Sequence, residues 1–239
     1  MIDSSAVRLR ERQHEFLERG AILVLYRPRV EHEEVDSLHD VQRLLLALAP
    51  AGARHSRVIA LGRKQLRNRF WGFVDVVDDP QTVAATLGAH TYLTKTHGAR
   101  HLPAARVASA GAYAITSHDG HTHLAFDTTP APGREIDVAD SGNFIVSVAN
   151  PDPTAWGLAE FPPLQEELFP EYEVHVTIPT PFPSDIAHRF GNRRYLDLDP
   201  ELLDFPGAEL IFIDAKEPAG EIVEGREAEL PEALARLVG

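Results

Sequence analysis

Residues 112–127 read AYAITSHDGHTHLAFD. Asp119-Gly120 sits between two segments of alternating polarity. Asp-Gly at the two central positions of a two-residue loop favours a type I′ turn, because both positions need φ > 0. Such a loop fixes the register of the flanking strands, so His118 should oppose His121 and Thr116 should oppose His123. Faces follow from the register. Tyr113, Ile115 and Ser117 share an apolar face with Thr122, Leu124 and Phe126, which should point into a core. Ala112, Ala114, Thr116 and His118 share the other face with His121, His123, Ala125 and Asp127.

Strand signals continue on both sides of this hairpin. Arg57–Leu61 and Phe70–Val77 are rich in β-branched and aromatic residues and read as buried strands, with 62–69 (GRKQLRNR) as the loop of a second hairpin. Ala21–Tyr26, Phe144–Ala149, Tyr172–Ile178, Tyr195–Leu198 and Ala208–Asp214 also read as strands. Val41–Leu48 (VQRLLLAL) is apolar at nearly every position and fits strand and helix equally. Helices are expected at Ser4–Arg19, ending at Gly20; at Pro80–Leu87, capped by Asp79; at 184–190; as a turn after Asp199-Pro200; and at the C-terminus from Pro231. Residues 94–106 read as a polar connection. Strands outnumber helices and the two do not alternate regularly. The expected fold is therefore α+β: strand-rich, with predominantly antiparallel hairpins and several short flanking helices. One domain over 1–239 is expected, with a weak subdivision near 128–142, where Pro and Gly interrupt the chain.

Composition narrows the chemistry. There is no cysteine, which excludes disulfides, thiolate metal sites and a cysteine nucleophile. No targeting segment and no apolar run long enough to span a membrane is visible, so a cytoplasmic protein is expected. The net charge of −13 is unevenly spread. Residues 1–40 hold 6 basic and 9 acidic side chains, residues 41–118 hold 10 and 3, and residues 119–239 hold 7 and 24.

Two candidate sites emerge. The basic one is the hairpin loop with Arg63, Lys64, Arg67 and Arg69, followed by Phe70 and Trp71. Guanidinium forks bind phosphate or carboxylate bidentately, so an anionic small molecule or a nucleic acid is the expected partner of a non-catalytic binding protein. Against this stands internal pairing of the same arginines, Arg57 included, with the acidic second half of the chain. The second site is His118, His121 and His123. Three imidazoles at cross-strand spacing can converge on a divalent metal, with Ala114 and Ala125 leaving room for a ligand; a metal-dependent hydrolase is the alternative function. A protein-interaction module is the third. His175-Val176-Thr177-Ile178 resembles the H-Φ-T-Φ element of the 2H phosphoesterases, which need two such elements, and no second is found. HTHLAFD carries the H-x-H of the metallo-β-lactamase pattern without the Asp-His that follows it there. No P-loop, dinucleotide fingerprint or nucleophile elbow is present.

Overall fold

The computed structural model describes residues 15–32, 34–62, 69–94, 98–152, 155, 182–223 and 228–238. Along the chain run β1 (Glu15–Pro28), β2 (Val41–Pro50), β3 (Ser56–Leu61), β4 (Arg69–Asp78), α1 (Pro80–Leu87), β5 (His90–Thr94), β6 (Gly98–Leu102), β7 (Arg106–His118), β8 (His121–Pro130) and β9 (Ser141–Ala149). After the gap come α2 (Ser184–Phe190), β10 (Tyr195–Asp197), a 3-10 turn (Pro200–Asp204), β11 (Glu209–Asp214), α3 (Gly220–Val223) and α4 (Glu232–Ala235).

Eight of the strands close on themselves. The order β1-β2-β3-β4-β11-β9-β8-β7 returns from β7 to β1, and every pairing is antiparallel. This overturns the α+β expectation: the chain is an all-antiparallel β-barrel with a few short helices on its outside. Closure depends on pairings between strands far apart in sequence, β1 with β7 and β9 with β11, which local pattern cannot specify. β10 adds to the edge of β9 beyond the point where β8 leaves it.

An eight-stranded barrel has an interior just wide enough for side chains to fill. Here Ile22, Leu48, Ile59, Tyr113, Leu124 and Phe212 fill it, each fully buried. Ile186, Phe190, Leu202 and Leu203 belong to the same cluster, so α2 and the 3-10 turn seal one mouth of the barrel. The outer face of β1–β4 is apolar too. Leu23, Leu25, Leu45 and Ala47 pack under Val83 and Leu87 of α1 and Leu234 of α4.

That double burial explains β2. Val41–Leu48 is a strand whose alternate residues face the interior and the helices, so it shows no polar alternation. Residues 15–19 belong to β1 rather than to a helix; the rest of the expected N-terminal helix, and the strand expected at 172–178, lie outside the described residues. The connection expected at 94–106 contains β6, which pairs with β5 as a separate two-stranded arm. The Asp79 cap is as expected, its carboxylate accepting from the Gln81 and Thr82 amides.

Candidate ligand-binding cleft

Tyr26 and Arg106 are directly opposed where β1 and β7 leave the barrel, two residues past a register shift at Val24/Leu25. The chain leaving β8 is held beside them. The Ala131 amide donates to the Ala108 carbonyl (2.9 Å), and Arg134 is fixed by Asp137 (2.9 Å) and Asp140 (2.5 Å). This places Glu135 so that one carboxylate oxygen, Oε2, accepts from both the Tyr26 hydroxyl (2.6 Å) and Arg106 Nη1 (2.5 Å). The Tyr26 hydrogen bond, with further help from Arg106, holds the Glu135 carboxyl below its ordinary range despite some burial. Burial, and then the neighbouring Glu135 carboxylate, pushes the Tyr26 phenol up to about 12.

The third wall is the loop after β1. Asp40 Oδ2 accepts from the Ser37 amide (3.0 Å), the Ser37 hydroxyl (2.9 Å) and the Asp36 amide (3.3 Å), which orders the loop, while Val35 is buried against Tyr26. Glu34 and Asp36 flank Val35 and are exposed. With Leu237 and Val238 from the C-terminus these walls bound a cleft of about 860 Å³. That lies within the roughly 300–1,000 Å³ typical of small-molecule sites. Its exposed surface is more polar than apolar; Leu237 and Val238 are half-buried on its wall, and Val35 and Val107 are buried beneath it.

The histidine hairpin has the expected register: His118 opposes His121, Thr116 opposes His123, and Asp119 and Gly120 have φ of 49° and 82°. Its two faces are also as assigned. The space above Ala114 and Ala125, however, is filled by Ala219, Ile222 and Val223, so no ligand room is left there. His118 and His123 are buried with their rings edge to face, centroids 6.1 Å apart. His121 is exposed and turned toward Asp197, its Nδ1 4.0 Å from Oδ1. The Asn143 Nδ2 donates to the Glu217 carbonyl (3.1 Å), so its Oδ1 is an acceptor and His123 Nδ1, 3.1 Å away, carries the proton. Burial, reinforced by the other two histidines, holds His123 below its ordinary pKa, although the Asn143 bond works the other way. Among the described residues no group of three His, Asp or Glu side chains is arranged to hold a metal.

Of the basic loop, Arg63, Lys64 and Arg67 lie outside the described residues; Arg69 opens β4 opposite Ile213 and is exposed. β3 and β4 do form the expected hairpin. Arg57 points into the barrel. Its Nη1 donates to both oxygens of Glu18 (2.7 and 2.9 Å) and its Nε to Asp204 Oδ1 (2.7 Å). The Tyr113 hydroxyl donates to Glu18 Oε1 (2.8 Å), and His55 Nε2 lies 2.9 Å from Asp204 Oδ1. Sequence reasoning singled out none of Tyr26, Glu34, Asp36, Arg106 and Glu135. Tyr26 and Glu135 are 109 positions apart, and no local signal joins them.

Comparison with protein-family models, with curated proteins and with solved structures finds no match to this chain.

Proposed function

We propose that this chain is a small-molecule-binding protein whose ligand occupies the cleft between the β1 and β7 ends, the loop at 34–36 and the C-terminal residues. The observation that carries the reading is the Tyr26–Glu135–Arg106 arrangement, one carboxylate fixed by two donors beside an aliphatic wall in a cleft of about 860 Å³. Polar groups held at fixed positions and converging on one cleft are what orient a ligand in such a site. The barrel interior does not compete for this role, because Tyr113, Phe212 and their neighbours fill it.

The test is a thermal-shift screen of a small-molecule library on the full chain and on Val238→Trp, which fills the cleft from a half-buried position. A ligand present at a hundred times its Kd stabilises by about 2.7 kcal/mol. That is a rise of about 5–11 °C for a chain of this size. Hits that raise the wild-type melting temperature and leave Val238→Trp unmoved support the cleft. Hits that act equally on both forms refute it.

A second reading, a divalent-cation site on the histidine hairpin, draws support from His123. Its Nδ1 proton is committed to Asn143, which leaves Nε2 as the lone-pair nitrogen, the arrangement seen when histidine ligates a metal. His121 would have to swing from Asp197 toward His118 and His123 to complete the site. Zinc titration of the wild type and of the His118/His121/His123 triple alanine variant tests this. Stoichiometric uptake lost in the variant supports it, and no uptake sinks it.

A further inference from the structure

We propose that the ligand of this cleft is an organic cation, a protonated amine carried on an apolar body, with Glu135 as its counter-ion. The inference rests on the cleft reading above and names the ligand class.

Charge is the first ground. Among the described residues three carboxylates line the cleft, Glu34, Asp36 and Glu135, against one guanidinium, Arg106. Arg106 is already engaged with Glu135, so the described lining presents a net charge of −2 to a ligand. An anionic ligand would have to displace Glu135 from Arg106 and then face Glu34 and Asp36. The chain as a whole is also acidic, at −13, although beyond roughly 8 Å that field is screened at physiological ionic strength.

Hydrogen-bond accounting is the second ground. Both donors to Glu135 end on Oε2. Among the described residues no donor reaches Oε1, and a carboxylate oxygen has two lone-pair directions. Tyr26 and Arg106 hold the group ionised and in place while leaving that second oxygen for an N–H of the ligand. A charge-assisted bond of this kind is shorter and stronger than a neutral one.

Shape is the third. The half-buried side chains of Leu237 and Val238, backed by buried Val35 and Val107, form one aliphatic wall beside the polar groups and offer nothing to a metal ion or a small polyol. They suit a hydrocarbon body with one charged end, anchored at Glu135.

The experiment uses three probes with one body and different ends: 3,3-diphenylpropylamine, 3,3-diphenylpropan-1-ol and 4,4-diphenylbutanoate. Calorimetric titration is run on the full chain, on Glu135→Gln, on Glu34→Gln/Asp36→Asn and on Val238→Trp. The amine is expected to bind about tenfold or more tightly than the alcohol, as a hydrogen bond to a charged group predicts. The carboxylate should not saturate. Glu135→Gln should reduce the amine's advantage to about threefold or less, and Glu34→Gln/Asp36→Asn should reduce it partly, on the same ground. Raising the salt should weaken the amine alone. If the alcohol or the carboxylate binds as well as the amine and Val238→Trp abolishes it, the cleft is a ligand site but the cation inference is wrong. An amine preference that survives Glu135→Gln also overturns it. If none of the three binds, or if Val238→Trp changes nothing, the inference and the cleft reading fall together.

Discussion

Replacing Arg57 with methionine should be the most damaging single change at the sealed mouth of the barrel. The guanidinium is almost fully buried, with 3% of its side chain exposed, and Glu18 beside it is at 14%. Burial alone would pull the Arg57 pKa down, but Glu18 and Asp204 outweigh it and hold the group firmly charged. Methionine matches the stem in size and removes the charge. Glu18 then keeps only the Tyr113 hydroxyl as a partner among the contacts described above. Leaving one member of a buried ion pair uncompensated costs about 3–5 kcal/mol. At about 2–4 °C per kcal/mol for a chain of this size, the melting temperature should fall by about 6–20 °C. Adding Glu18→Gln removes the stranded charge and keeps an acceptor for Tyr113, so the double variant should be more stable than Arg57→Met alone. Calorimetric melts of the wild type and both variants read these differences. An Arg57→Met protein within about 2 °C of the wild type would refute the argument that this charge is desolvated, as would a double variant no better than the single one.

Other expectations follow from separate parts of the fold. His123 is held below its ordinary pKa mainly by burial, so the unfolded chain takes up its proton first. That contribution to stability is intact above the unfolded value near 6.5 and is lost as the pH falls toward the folded one. Wild type should therefore lose more stability between pH 7.5 and 5.5 than His123→Gln does, and equal losses would show that this imidazole is not desolvated. Gly111→Ala should lower stability by about 1–3 kcal/mol, because its Cβ would lie 2.1 Å from the Asp127 carbonyl oxygen, a backbone atom that no rotamer change can move; an unchanged urea midpoint contradicts the close approach of β7 and β8. Arg27→Met should strip donors from the Thr86, Gly88 and Pro103 carbonyls, at about 1–3 kcal/mol for groups left unsatisfied. Hydrogen exchange should then rise around 86–105 while the barrel strands stay protected; uniform exchange would mean Arg27 supports the barrel rather than the arm.

What could be read from the sequence was what is fixed within a few residues. Asp119-Gly120 forces its turn, the turn forces the register, and the register assigns Tyr113 and Leu124 inward and His118 and His123 outward. What lies against a face was not readable. Ala114 and Ala125 are small because Ala219, Ile222 and Val223 pack on them, and those residues arrive from far later in the chain. The same holds for β1. Its first residues carry Glu15, Glu18 and Arg19, which resemble a solvated helix; Glu18 is tolerated inside a strand because Arg57 meets it from β3 and the Tyr113 hydroxyl donates to it. The cleft is the extreme case, since its residues come from five stretches of chain with no common pattern.

The charge distribution shows why counting along the chain does not give the field at the surface. The stretch 41–118 holds a surplus of basic side chains, which suggests an anion-binding face. Several of the arginines in and next to that stretch are turned inward. Arg27, Arg43 and Arg57 are all buried, and Arg106 is committed to Glu135. Arg57 takes Glu18 and Asp204 as partners, so part of the surplus is consumed inside the fold by acidic residues from elsewhere in the chain. Fixed internal partners remove those cations from the exterior as effectively as substitution would. Carboxylates such as Glu34 and Asp36, with no cation paired to them among the described residues, stay at the rim. A barrel whose interior is full of side chains offers a ligand only its outside, and at this cleft the outside is the acidic remainder of that internal pairing.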